Sequence, residues 1–171
     1  MSDDRDRDIS GRPRQARPRD ALGRPLPYDS STGVQPVPDE ALPPLEALAF
    51  ARRLVHEGRS FAAHEVLEAR WKAGPPDERE LWQGLAQLCV GLTHAARGNT
   101  LGAARLVERG AARLEAYDES PGPRYGLELS AVVSCARERI RSVTADVDGG
   151  GVGSAPQSRQ PPRSRGPAVE P

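Results

Sequence analysis

Between Leu81 and Ala96 the chain carries no Asp, Glu, Lys or Arg. A helix with no charge on any side is buried on all sides, so this run is expected at the centre of the fold. It is too short and too polar to cross a membrane. It also holds Gln83, Gln87 and His94, and buried polar groups need partners. The nearest helical candidates are His64, Glu65 and Glu68, in Phe61-x-x-His64-Glu65-x-x-Glu68-x-x-Trp71. The sequence therefore predicts a polar cluster inside a helical bundle.

The rest of the chain divides by composition. Among 171 residues, Pro and Gly number 17 each and crowd towards the two ends. Residues 1–20 mix charges without an apolar core and read as a disordered tail, neither a signal peptide nor an anchor. Residues 21–43 are proline-punctuated yet carry Leu22, Leu26, Tyr28, Val34 and Val37. Such an arm cannot be a helix, but it can lie extended across a domain with these side chains docked. Residues 44–145 hold nearly all the Leu, Ala and Val and form the expected domain. Residues 146–171 are Gly-, Pro- and Arg-rich and read as a second disordered tail. The net charge is zero, so no long-range field favours nucleic acid or an anionic membrane. Neither is expected as a partner, and a cytoplasmic location is the default. Cys89 and Cys135 are too few for a disulfide framework and read as reduced thiols.

The middle region reads as all-α: a compact antiparallel bundle of about five helices. The first runs from about Pro44 to Glu57 and stops at Gly58. The second follows Ser60 as N-cap and ends near Ala73, before Gly74-Pro75-Pro76. The third spans about Asp77–Arg97 and stops at Gly98. The fourth follows Asn99 and ends near Ala116, and the fifth covers roughly Tyr125–Val143. Short connections make consecutive helices antiparallel neighbours. At about 100° per residue, Ala63, Leu67 and Trp71 form the apolar stripe of the second helix, with His64 and Glu68 beside it. On the third, Leu81, Leu85, Leu88 and Leu92 form one face. Gln83, Gln87 and His94, with Val90 among them, lie roughly opposite. The hairpin turn brings the start of the second helix near the end of the third, so His64 approaches His94.

Three chemistries suit this constellation. His64, Glu68 and His94 are suitable ligands for zinc or iron, with Glu65 as a general base. Against that stands the absence of a second His in the His-Glu-x-x-His pattern and of any carboxylate on the third helix. A purely structural hydrogen-bonded network is the second reading. The third is a small pocket for a polar ligand, with Phe61, Trp71, Gln83, Gln87 and Asn99 as candidate lining. No nucleophilic Ser or Cys stands in a recognisable setting, and there is no Gly-rich phosphate loop.

The combination Phe61-x-x-His64-Glu65-x-Leu67-Glu68-x-x-Trp71, Gln83-Gly84-Leu85-x-Gln87-Leu88 and His94-x-x-Arg97-Gly98-Asn99-x-x-Gly102-Ala103 resembles the bacterial and archaeal family called domain of unknown function 309. The resemblance covers about residues 45–116. It implies a compact all-helical fold and supplies no activity. Ala86 and Thr93 stand where bulkier apolar residues are expected. The stretch Ala96–Ala104 also resembles the hairpin of tetratricopeptide-like repeats, but no second copy occurs at a fixed period. The leading functional expectation is a non-catalytic binding or scaffold module for a protein or small polar ligand. The alternative is a small metal-dependent or acid/base hydrolase using His64, Glu65, Glu68 and His94.

Overall fold

The computed structural model describes residues 17–149. It is all-helical in its middle region: α1 (Pro44–His56), α2 (Ser60–Ala73), a 3-10 turn (Pro76–Glu78), α3 (Arg79–Ala96), α4 (Thr100–Asp118) and α5 (Leu129–Gly149). Consecutive helices pack on one another, and α5 returns onto α3, so α3 touches α2, α4 and α5. The uncharged run is thus the central helix, but it is not buried on all sides: Gln83, Gln87, Val90 and His94 are only half-buried, and Ala96 is exposed. Leu81 and Trp82 are fully buried, and Leu54 from α1, Val107 and Leu114 from α4 and Val133 from α5 share their core. Burying each such side chain contributes about 1.5–3 kcal/mol. Among the described residues no helix is long and apolar enough to cross a membrane.

α3 and α4 approach most closely at glycines. A Cβ on Gly110 would stand 2.9 Å from the Gly84 carbonyl oxygen, and one on Gly84 would stand 2.8 Å from Leu114. The two backbones approach so closely that neither position has room for a side chain. Thr93, buried on α3, donates its hydroxyl to the Cys89 carbonyl at 2.9 Å and so satisfies itself within its own helix.

Several boundaries differ from the sequence reading. Ser60 is the first residue of α2 rather than its N-cap; Arg59 takes the cap position, and no side chain caps the helix. The third helix does not start at Asp77: two prolines lead into a 3-10 turn first, and α3 begins at Arg79. The fifth helix starts at Leu129, because Tyr125 and Gly126 take left-handed conformations, with φ of 51° and 77°. It then continues to Gly149, past the expected end at Val143. Asn99 does cap α4, its Oδ1 accepting from the Gly102 amide at 2.9 Å. The tails expected at 1–20 and 146–171 lie outside the described residues, apart from 17–20, which join the arm, and 146–149, which continue α5.

Candidate functional site

α2 and α3 pack on one another and carry the predicted polar residues, but few of those residues meet. His64 Nε2 stands 3.9 Å from Glu68 Oε2, one helical turn on, and Lys72 takes the other Glu68 oxygen at 3.0 Å. Burial pushes the His64 imidazole below its ordinary pKa; Glu68 opposes this and Lys72 adds to it. The ring is thus held towards its neutral form. Its Nδ1 is buried without a protein hydrogen-bond partner, and so is Gln87 Oε1 on α3. Gln83 and Gln87 are half-buried on α3, and Glu65 is half-buried on α2 and already partnered. His94 turns to its own helix end, where its Nδ1 lies 3.1 Å from Asn99 Nδ2. Trp71, at the far end of α2, is half-buried beneath the Arg79 guanidinium, 5.5 Å from the ring centroid.

Among the described residues no three His, Cys, Asp or Glu side chains group as an ion site. His64, Glu68 and His94, expected as zinc or iron ligands, are not assembled as one.

What the structure assembles instead is a surface at the Phe61 end of α2. Phe61 lies beside His64, with ring centroids 5.9 Å apart. The Arg97 guanidinium, just past α3, sits 5.8 Å from the Phe61 centroid. The start of α2 therefore does meet the end of α3. This surface is covered by the arm. Arg97 donates to the Leu22 carbonyl oxygen from Nε at 2.9 Å and from Nη2 at 2.5 Å. Arg19 places its guanidinium 5.0 Å from the Phe61 centroid and donates to the Gly23 carbonyl at 2.6 Å.

The arm has its own local structure here. The Gly23 amide donates to the Asp20 carbonyl at 2.9 Å, and Asp20 Oδ1 accepts from the Arg24 amide at 2.8 Å. Leu26 donates to Pro18 and Val34 to Arg19, each at 2.8 Å. The result is a tight turn whose tip, Gly23, lies on the Phe61 ring. Gly23 has φ of 74°, and a Cβ there would stand 2.2 Å from Phe61 Cγ. Only glycine meets both conditions. Further along, Arg59 donates to the Gln35 carbonyl at 2.5 Å. There the arm and α1 bound an open cavity of about 770 Å³, lined by Val37, Phe50, Arg53 and Arg59 among others.

A second polar centre went unseen in the sequence. Glu78, in the 3-10 turn, is 6% exposed. Its carboxylate accepts from Tyr125 Oη at 2.6 Å, Trp82 Nε1 at 2.7 Å and Arg70 Nη2 at 3.2 Å. The Arg70 guanidinium also lies 5.4 Å from the Trp82 centroid. Burial alone would raise the carboxyl pKa, but the bonds from Tyr125 and Trp82 and the charge of Arg70 outweigh it, and the net shift is downward. Among the described residues the buried carboxylate is therefore Glu78, not a member of the His64 cluster. The i, i+4 spacing of Glu78 and Trp82 was the available signal. Arg97 and Gly23 were missed as site residues because their roles appear only when arm and bundle meet.

Residues 48–106, which include every predicted site residue and Arg97, match the family described as Domain of unknown function (DUF309). The arm lies outside that stretch. The chain is 38% identical over 89 residues to Uncharacterized protein YpuF of Bacillus subtilis (strain 168), a match covering 50% of this chain and 51% of the relative. The chain thus spans about half the length of the curated relative it matches. No solved structure matches it. The likeness to the family described as Domain of unknown function (DUF309) thus rests on residues 48–106, the stretch that carries Phe61, His64, His94 and Arg97.

Proposed function

We propose that this domain is a non-catalytic binding module whose working surface is the α2–α3 end around Phe61, His64 and Arg97. The observation that carries the reading is the seated arm: a backbone carbonyl held by two guanidinium nitrogens of Arg97, and a backbone tip laid on Phe61. A forked guanidinium and an aromatic face are general tools for gripping another chain segment. Both belong to the domain, whereas the arm lies outside the matched stretch.

The test uses the full chain carrying Gly23→Val, which unseats its own arm. A fluorescein-labelled synthetic peptide of residues 17–36 is added and anisotropy is read. Saturable binding, lost when Arg97→Ala or Phe61→Ala is added, is the expected result. No binding to the Gly23→Val chain, with its helical circular dichroism intact, overturns the reading.

One observation favours acid/base hydrolysis instead. His64 is held towards neutrality with one ring nitrogen unpartnered, as a general base requires. Ester or amide turnover that disappears in His64→Gln, and persists in Arg97→Ala, would move the assignment to that class.

A further inference from the structure

Resting on that binding reading, we infer that the surface selects a particular shape of peptide: a glycine-tipped tight turn with an arginine four residues before the glycine. Residues 19–24 are a resident copy of that ligand, which a partner must displace. The inference comes from how the surface and the turn divide the contacts. The domain supplies the Phe61 ring and the Arg97 fork. The ligand side supplies three things that match them. The first is a carbonyl, that of Leu22, pointing outward at the tip of the turn. The second is a residue with no Cβ and positive φ, which lets the backbone lie on the ring. The third is a cation, Arg19, placed over the same ring and bonded back to the glycine carbonyl, which locks the turn in the form the ring accepts. Phe61 thus has one guanidinium from the domain and one from the ligand near its ring.

No side-chain pocket is needed for this recognition, and the exposed Arg24 and Pro25 point to none. What is read is backbone shape and one charge. A partner carrying Arg-x-x-x-Gly in such a turn presents the same features. Because the arm is tethered close by, its effective concentration is of millimolar order. Intact chain is therefore held closed against weak ligands.

The experiment uses the same anisotropy assay with four peptides of residues 17–36: unaltered, Gly23→L-Ala, Gly23→D-Ala and Arg19→Ala. D-alanine adopts positive φ readily and directs its methyl away from the position that collides with Phe61. The Gly23→Val chain should bind the unaltered peptide at least about ten-fold tighter than the L-Ala peptide, with the D-Ala peptide well above the L-Ala one. Arg19→Ala should also weaken binding. Wild-type chain should bind every peptide about ten-fold more weakly than the Gly23→Val chain, because its site is filled.

Equal affinity for the L-Ala, D-Ala and unaltered peptides overturns the turn readout while leaving a binding module in place. Equal affinity of wild-type and Gly23→Val chains overturns the resident-ligand claim. A Gly23→Val chain that binds none of the peptides removes the binding reading and this inference together. A second unseating variant, Arg19→Ala in the full chain, guards against an effect peculiar to valine.

Discussion

Replacing Glu78 should weaken the bundle more than replacing any residue of the His64 cluster. Three separate parts of the chain converge on this one carboxylate: Arg70 from the last turns of α2, Trp82 from the first turn of α3, and Tyr125 from the connection into α5. Glu78→Ala leaves the Trp82 N–H and the Tyr125 hydroxyl without an acceptor and Arg70 without its counter-charge. Breaking a buried pair in this way costs about 3–5 kcal/mol. The Arg70 side chain is 15% exposed and recovers some hydration, so the lower end, about 3 kcal/mol, is expected. Glu78→Gln keeps an acceptor oxygen and loses the charge, for about 1.5–2 kcal/mol.

For a domain of this size, about 3 kcal/mol lowers Tm by on the order of 10 °C. The pH dependence has a fixed sign. The folded Glu78 pKa lies below its ordinary value, so the unfolded chain takes up the proton first as the solution is acidified. The stabilisation is therefore complete above the unfolded value of about 4.3 and is lost as pH falls through the lower folded value. Thermal melts of wild type, Glu78→Gln and Glu78→Ala, run from neutral pH into this acid range, test both statements. If Glu78→Ala melts within about 2 °C of wild type at pH 7, or if the gap to Glu78→Gln does not narrow on acidification, the carboxylate is not the tie described.

Three further outcomes are expected. Gly110→Ala should destabilise by about 1–3 kcal/mol despite the better helix propensity of Ala, because its methyl meets the Gly84 carbonyl rather than a movable side chain; urea unfolding decides, and a more stable variant refutes the close approach. His64, whose folded pKa is lowered, should cost stability as pH falls from about 6.5 through that lower value, and His64→Gln should flatten this part of the stability profile; an unchanged profile refutes it. Cys135, exposed on α5, should react promptly with a thiol reagent, while Cys89, buried and with its thiol pushed up to about 12, should react only on unfolding; two equally fast thiols would contradict the packing of α3.

Helix order and the central place of α3 were legible because they follow from composition and period. A run without charges has one physical home, and Gly58 and Gly98 end helices by known chemistry. The starts of α2, α3 and α5 were less legible. Each depends on a local competition that periodicity does not report: Arg59 against Ser60 at the cap, a 3-10 turn after two prolines, and Tyr125 held in a left-handed conformation beside the Glu78 carboxylate. His64, Gln87 and His94 were read as one cluster from helical period, yet period does not make a shared hydrogen bond. His94 found a nearer partner in Asn99, five residues along its own chain.

The arm shows why a site can be half visible in a sequence. Its apolar residues suggested docking, but those side chains are not what Arg97 and Phe61 hold. They hold a carbonyl and a glycine with no side chain at all. Backbone recognition leaves little trace in residue type beyond a glycine, and this chain contains 17 of those. The distinguishing signal was the pairing of Gly23 with Arg19, together with Asp20 able to close the turn through its side chain. That pattern is local and cheap to form, so it needs no core of its own. It gains its order from the bundle surface, and the bundle surface is filled by it. On the binding reading proposed above, one occupant exchanges for another without repacking of the helices, since Phe61 stands in the first turn of α2 and Arg97 at the C-cap of α3.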